Sequence, residues 1–267
     1  MSISTDSHVI YTVQPGDNLH SIASMFSSDI QAIIHSNYLK PPVTDPNLLS
    51  PGQILVVPTN TTSITSTFYV VAPGDTLYTI AQRFSAHTDL VAGINQLGNF
   101  NLIIAGQRLQ VPAFIYNVEP EDTLNEVASR FGVSLHAILS ANWRRLGFAP
   151  DTIWPNFSLI IPLPSSQNIA IASPLPGTVV WGGLRLAGWG RAFEGVVLYQ
   201  VRDSTGFVVT NERAISTNAS APAYGWFVTP LQVDRQPTSN LGEIWLYTRS
   251  AANNEIQDLV KSRVYFG

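Results

Sequence analysis

The chain writes nearly the same nine residues three times: YTVQPGDNL at 11–19, YVVAPGDTL at 69–77 and YNVEPEDTL at 116–124. Self-similarity on this scale means that the first part of the molecule is built from small repeated units rather than one continuous core. The repeat runs on beyond the opening phrase. Leu19, Ile22, Ala23 and Phe26 recur as Leu77, Ile80, Ala81 and Phe84, and again as Leu124, Val127, Ala128 and Phe131. Their spacing, i, i+3, i+4, i+7, is one face of a helix. Asp17, Asp75 and Asp122 stand just before it, where a carboxylate can cap free backbone N–H groups.

A second helix is expected over 29–37, 88–95 and 134–142, each ending on an asparagine: Asn37, Asn95 and Asn142. Each copy then closes on an eight-residue phrase, PGQILVVP at 51–58, AGQRLQVP at 105–112 and PNFSLIIP at 155–162. These read as a turn, a short strand and a proline stop. Every copy is thus strand, helix, helix, strand, with the two strands paired antiparallel and both helices on one face. The repeating Leu, Ile and Phe positions are assigned to the small core such a unit needs. Residues 59–67, TNTTSITST, read as a polar linker. Only Ala113 and Phe114 separate copies two and three, so those two are expected to pack together.

The order Tyr-x-Val-x-Pro-Gly-Asp-x-Leu, Ile-Ala-x-x-Phe, Asn, Pro-Gly-Gln-x-Leu-x-Val-Pro resembles the LysM domain, with the third copy degraded. The resemblance implies βααβ modules that bind glycans containing N-acetylglucosamine, chiefly peptidoglycan and chitin. After residue 165 the pattern changes to short β-rich runs: GLRLAG, EGVVLYQVRD, GFVVTNE, YGWFVTPLQV, GEIWLYTRS and VKSRVYFG, with DSTG at 203–206 as a hairpin turn. The phrases SPLPGTVV, LAGWGRAFEGVV, GWFVTPLQV and GEIWLYTRSAANNE resemble the immunoglobulin-like domain of bacterial spore germination proteins, which implies a sandwich and an envelope context but no activity. The expected architecture is therefore multidomain: three small α+β (βααβ) LysM-like modules at 9–58, 68–112 and 115–162, then a C-terminal all-β immunoglobulin-like sandwich at 169–267.

An N-acetyl sugar offers amide and hydroxyl groups and apolar ring faces, so a binder needs exposed backbone donors and acceptors beside a shallow apolar floor. The LysM resemblance implies that two loops of each unit form the sides of that groove. They are Gly16-Asp17-Asn18 with Leu49-Ser50-Pro51, Gly74-Asp75-Thr76 with Ile103-Ile104-Ala105, and Asp122-Thr123 with Ile153-Trp154. The same aspartates read equally well as helix caps, and Gly52 and Gly106 as turn glycines. In copy three Glu121 replaces the glycine of the first loop and Asn156 that of the closing turn. Asparagine tolerates positive φ and glutamate does so poorly. Copy three is thus open between a structural spacer and a third binder, and Trp154 between a stacking surface and packing.

Charged residues make up only 12% of the chain and the net charge is −4, which argues against nucleic acid. Residues 1–165 hold six basic and eleven acidic residues, and residues 166–267 eight and seven. There is no cysteine, which excludes disulfides, cysteine nucleophiles and cysteine-ligated metals. The five histidines show no metal spacing, none follows His136, and neither G-x-S-x-G nor a P-loop occurs. Glu194 and Glu243 could face each other, but isolated strand carboxylates are usually surface charges. Trp189 and Trp226, in the glycine-rich phrases GWG and YGW, are assigned to the core or to a loop edge. No stretch approaches the roughly 20 apolar residues of a membrane helix, and MSISTDSHVI lacks the features of a signal peptide.

The expectation is a non-catalytic protein without cofactor or metal, in the cell envelope or outside the cell. It would hold peptidoglycan or another N-acetylglucosamine polymer through its repeats and an envelope protein through its tail. The alternatives are a spore-coat or envelope assembly protein whose repeats bind protein, and a wall hydrolase with a catalytic tail.

Overall fold

The computed structural model describes residues 2–4, 6–40, 45, 48–59 and 66–267. Most of the residues read as a linker, 60–65, lie outside that set. The chain forms two compact units. The first holds residues 1–85, 101–128 and 134–162, and the second residues 86–100, 129–133 and 163–267.

Each repeat has the expected order. The first runs β1 (Ser7–Thr12), α1 (Leu19–Phe26), α2 (Ile30–Ser36), β2 (Ile54–Thr59). The second runs β3 (Thr67–Val70), α3 (Leu77–Arg83), α4 (Thr88–Ile94), β4 (Arg108–Val111). The third runs β5 (Ala113–Asn117), α5 (Leu124–Phe131), α6 (Leu135–Ala141), β6 (Ser158–Pro162). The periodic Leu, Ile or Val, Ala and Phe are buried in all three copies. In repeats one and three the asparagine that ends the second helix ties it to the closing strand. Asn37 Nδ2 donates to the carbonyls of Ile33 (2.8 Å) and Val56 (2.7 Å), and its Oδ1 accepts from Val56 N (2.8 Å). Asn142 does the same with Ile138 and Ile160. A buried amide that satisfies a helix end and a strand at once cannot be replaced by an apolar side chain without orphaning backbone groups.

The first two repeats share one sheet, in the order β2-β1-β3-β4, because β1 pairs β3 in parallel. The register sets Ile10 opposite Tyr69, so Tyr69 shares its face with Ile10 and lies on the face away from Tyr11. Tyr11 packs edge-on against Phe26 of its own α1, with ring centroids 5.2 Å apart, and Tyr69 against Phe84 at 5.9 Å. The first helices of the two repeats therefore cover opposite faces of the common sheet, related by a half-turn about an axis along the strands. This explains why every residue from Ser7 to Tyr11 is buried. A strand covered on both faces reads as a continuous buried run, not an alternation.

The third repeat keeps its own two-stranded sheet, β5-β6. Its outer edge is covered by residues 2–4, with Ser4 N donating to Ile115 O (3.0 Å) and Asn117 N to Ser2 O (2.9 Å). Copies two and three touch, as the short connection implies: Arg83 Nη1 donates to Ala141 O (3.4 Å) and Trp143 O (3.1 Å). Copy three is also fastened to copy one by Arg145, which is buried. Its guanidinium donates to Asn142 Oδ1 (2.9 Å), Ser158 O, Ser36 O (3.2 Å) and Asn37 Oδ1 (3.0 Å), and lies over the Phe157 ring. Burial pushes its pKa down to about 9.

The second unit is built on a sandwich of β7 (Ile169–Ser173), β8 (Val179–Val180), β9 (Arg185–Gly190), β10 (Val196–Asp203), β11 (Val208–Ser216), β12 (Gly225–Pro230), β13 (Leu241–Arg249) and β14 (Ile256–Phe266). One sheet has the order β11-β10-β13-β14-β8 and the other β12-β9-β7. Inward residues such as Ile171, Leu186, Val201, Phe227 and Ile244 fill the space between them. The DSTG turn joins β10 to β11, with Asp203 Oδ1 accepting from Thr205 N and Phe207 N at 3.0 Å. Trp189 and Trp226 sit in register on β9 and β12, not on loops, with ring centroids 4.8 Å apart. Gly188 beside Trp189 is required by the close approach of β7, since a Cβ there would lie 2.2 Å from Ala170 O. The unit also contains α4. Asp89 on that helix accepts from Gln167 Nε2 (2.7 Å) and Arg191 Nη2 (3.2 Å), and the Tyr224 ring lies over Gly93.

Two outcomes follow. Arg145→Met takes the arginine donor from the carbonyls of Ser36 and Ser158 and leaves Asn37 Oδ1 and Asn142 Oδ1 with only their backbone N–H partners, so the first unit should lose roughly 2–4 kcal/mol in urea unfolding; an unchanged midpoint would show that the arginine is not a tie. His8, buried on β1, has its pKa lowered from 6.5 to about 4 by burial. The unfolded chain then takes up a proton that the folded one refuses. Stability is unaffected above pH 7 and falls by up to about 3 kcal/mol as pH drops from 6.5 toward 4. A His8→Gln variant should flatten that slope in the same titration.

Candidate functional site

The repeated phrase owes its conservation of residue type to a hydrogen-bonded turn. Asp17 Oδ2 accepts from the Tyr11 hydroxyl and from Gln14 N, both at 2.7 Å, while Asp17 N donates back to Gln14 O (3.1 Å). Asp75 accepts from Tyr69 and from Ala72 N at 2.8 Å each. Asp122 accepts from Tyr116 and from Glu119 N. Burial and the aspartate partner push the Tyr69 pKa up to about 12, so the phenol is a standing donor. The reading of these aspartates as helix caps is corrected. The cap is the next residue: Asn18 Oδ1 accepts from Ser21 N (2.9 Å), Thr76 Oγ1 from Thr79 N (3.1 Å) and Thr123 Oγ1 from Glu126 N (3.2 Å). The aspartate is one position too early to reach the helix and closes the turn instead.

The second loop is anchored to the base of the first. Gly52 N donates to Val13 O (2.9 Å) and Val13 N to Gln53 O (2.8 Å), and Gly106 and Val71, then Asn156 and Val118, repeat the pattern. Gly16, Gly74 and Glu121 all have positive φ, at 88°, 88° and 71°. The glutamate thus keeps the turn by accepting a left-handed backbone that glycine adopts freely. Asn156 does the same at 69°, at little cost.

The two loops stand open in each copy. Gly16, Asn18, Ser50, Pro51, Gly74, Thr76, Ile104, Ala105 and Thr123 are exposed, and Asp17, Leu49, Asp75, Ile103, Asp122, Ile153 and Trp154 half-buried. The polar side chains among them, Ser50 excepted, already serve the turns and caps. Among the described residues, the amide N–H groups of Gly16 and Gly74 donate to nothing. What the loops offer a ligand is therefore main chain and apolar surface. Sequence reasoning passed over part of that surface. Leu48 and Leu102 are 69% and 71% exposed, Ile104 is 72% exposed, and Tyr78 at the start of α3 is 63% exposed. The pattern Asn-Leu-Leu at 47–49 and Asn-Leu-Ile at 101–103 could have shown them, since the leucine recurs where no strand or helix needs it.

Repeat three differs. Trp154 lies flat on Tyr38 of the first repeat, with centroids 5.0 Å apart, and Lys40 Nζ lies over the same ring at 4.2 Å. The tryptophan is engaged in packing. Glu194 sits in a 3-10 turn (Phe193–Gly195), whereas Glu243 accepts from Trp245 Nε1 (2.9 Å) beside Lys261 (3.9 Å), so the two do not form a facing pair. Among the described residues no group of three or more His, Asp or Glu could hold a metal ion.

The half-turn symmetry of the shared sheet creates two grooves where repeats one and two meet, one on each face. The first, about 350 Å³, is floored by Tyr11, Met25, Phe26 and Val70 and edged by Arg108. The second, about 270 Å³, is lined at the equivalent positions by Tyr69, Arg83, Thr12 and Ile54, with Arg144 of repeat three added. The first is apolar and the second basic.

A family model of the LysM domain matches residues 11–58, 69–112 and 116–162, and a model described as the immunoglobulin-like domain of bacterial spore germination matches residues 168–255. The N-acetylmuramoyl-L-alanine amidase sle1 of Staphylococcus epidermidis is 34% identical over 119 residues, 41% of this chain and 35% of that protein. The secreted LysM effector ECP6 of Passalora fulva is 35% identical over 126 residues, 40% of this chain and 54% of that protein. Among solved structures, the spore cortex-lytic enzyme SleL of Bacillus cereus is 35% identical over 40% of this chain and 23% of that chain, with a TM-score of 0.30. The chain spans from about a third to about half of the length of the curated relatives named here. With more than half of its residues matched by the LysM model, the chain belongs to the LysM family, carrying three tandem LysM domains followed by an immunoglobulin-like domain of the spore germination type.

Proposed function

We propose that the chain is a non-catalytic binder of N-acetylglucosamine-containing cell-wall glycan, peptidoglycan first, working in the cell envelope or outside the cell. The observation that carries this reading is the state of the paired turns in repeats one and two. Their aspartate carboxylates and capping side chains are consumed internally, their glycine amides are unspent, and exposed Leu48, Leu102, Ile104 and Tyr78 flank them. Such a surface suits a neutral, amide-bearing sugar with apolar ring faces. Strands β1 and β3 run parallel, so both first turns emerge at the same end of the sheet. One polymer can then reach two weak sites, which raises apparent affinity by about 10²–10⁴ over either alone.

The third repeat serves as a spacer in this reading, with Trp154 spent on Tyr38 and Glu121 in the place of the turn glycine. The immunoglobulin-like domain docks an envelope protein. Wall-cleaving activity is not part of the reading: the matched region of the amidase lies in its LysM part, and the carboxylates of the tail are dispersed.

Pulldown on insoluble peptidoglycan tests this. A Leu102→Arg, Ile104→Arg variant should lose about tenfold in apparent affinity with an unchanged melting curve, and undiminished retention would remove repeat two from the site. Clearing of a wall suspension by the intact chain would overturn the non-catalytic assignment. Glu121→Gly should stabilise the first unit by about 1 kcal/mol through relief of the left-handed glutamate and leave retention on peptidoglycan unaltered. Tighter retention would instead show that repeat three binds.

A further inference from the structure

The glycan reading leaves one built feature unused, the basic groove on the Tyr69 face of the shared sheet. Its walls come from three repeats. Repeat one supplies Pro15, Pro51 and Gly52, which belong to both of its loops; repeat two supplies Pro73, Asp75 and Arg83; repeat three supplies Arg144. The two guanidiniums are not equivalent. Arg83 is held in place by the carbonyls of Ala141 and Trp143. Arg144 is exposed, and among the described residues its side chain has no hydrogen-bond or ion-pair partner. Its backbone is left-handed, with φ at 65°, and its carbonyl accepts from Ile54 N at 3.3 Å. In repeats one and two the left-handed residue directly follows the helix-ending asparagine, as Tyr38 and Gln96; in repeat three it comes one residue later, at Arg144. A strained backbone that is fastened to the neighbouring repeat and presents an unpaired cation calls for a reason.

The residues up to 165 are acidic overall, with six basic residues against eleven acidic ones. Yet two of the six meet at this groove, close enough that, after burial, the charge of Arg144 helps hold Arg83 below its ordinary pKa. The one carboxylate of the groove, Asp75, is already bonded to the Tyr69 hydroxyl and Ala72 N. Two like charges brought together beside one committed carboxylate leave a site that an anion would relieve. The pseudo-equivalent groove on the other face has Met25 where this one has Arg83, and receives nothing from repeat three.

We propose that this groove is a carboxylate subsite, next to the turns of repeats one and two, that makes the chain prefer a wall polymer bearing carboxylates over a neutral N-acetylglucosamine polymer. The proposal rests on the glycan-binding reading above and adds the chemical class of the polymer. The carboxylate has two sources in peptidoglycan, the lactyl group of N-acetylmuramic acid when its stem is absent and the termini of the stem peptide when it is present. Both are anionic oxygens carried on a sugar whose N-acetylglucosamine neighbour can occupy an adjacent loop pair.

The test is calorimetry on the full chain with three ligands of equal sugar length: the N-acetylglucosamine tetramer, the N-acetylglucosamine–N-acetylmuramic acid tetrasaccharide without peptide, and the same tetrasaccharide with its stem peptides. Either or both of the last two should bind about fivefold tighter than the neutral tetramer at low salt, with the margin shrinking as salt is added. Which of them does so identifies the source of the carboxylate. Arg144→Gln should erase the margin and leave the neutral tetramer's affinity unchanged, and Arg144→Glu should invert it. Equal affinity of the wild type for all three ligands, or a margin that survives Arg144→Gln, would overturn the subsite while leaving glycan binding intact. Binding of none of the three would remove both.

Discussion

The parallel pairing of β1 with β3 is the constraint on which the LysM unit depends. An isolated two-stranded hairpin with two short helices buries little, and its outer strand presents unpaired backbone groups to solvent. Joining two hairpins edge to edge gives a four-stranded sheet whose central strands are hydrogen-bonded on both sides and covered on both faces. The pairing is parallel, and each repeat has the same handedness, so the second copy is turned over relative to the first. Two consequences matter for function. The first turns of both repeats leave the sheet at one end, and the junction acquires a groove on each face. Neither exists in a single repeat.

Within each repeat there is a division of labour between side chain and main chain. The tyrosine hydroxyl and the aspartate carboxylate close the first turn, the next residue caps the helix, and in repeats one and three the asparagine locks the second helix to the closing strand. Almost every polar side chain of the repeated motif is spent on holding the loops in shape. A loop fixed in this way presents its amides at low entropic cost to a ligand. The third copy shows how far this tolerates change. Its turn survives with glutamate in a left-handed conformation, because the Tyr116–Asp122–Glu119 hydrogen bonds over-determine it. Its second loop has taken on a different task, placing Trp154 on Tyr38.

Arg145 is the other element that turns three repeats into one unit. A guanidinium buried without a carboxylate is costly, and here the cost is met by four oxygens, two from each of the first and third repeats, and by the Phe157 ring. The next residue back in the chain, Arg144, is thereby held out at the basic groove. The order Arg-Arg thus divides into a structural cation and an exposed one.

Much of this was legible in the residues. The 3.6-residue spacing of Leu, Ile and Phe, the turn phrases and the closing prolines fixed each repeat as strand, helix, helix, strand. The six β-rich runs of the tail, from GLRLAG to VKSRVYFG, are all strands. Such signals are local, set by side chains a few residues apart. The misreading of Asp17, Asp75 and Asp122 as caps was a matter of one position, which spacing cannot resolve but hydrogen-bond geometry does. The tertiary structure alone decided that β1 joins β3, that Trp189 pairs with Trp226 across strands, that Trp154 packs rather than projects, and that Arg145 is buried while Arg144 is not. Edge pairing uses backbone groups that nearly every residue carries, so the sequence does not say which edge meets which. The oxygens that hold Arg145 come from segments as much as 109 residues away, and their convergence exists only once the chain is folded.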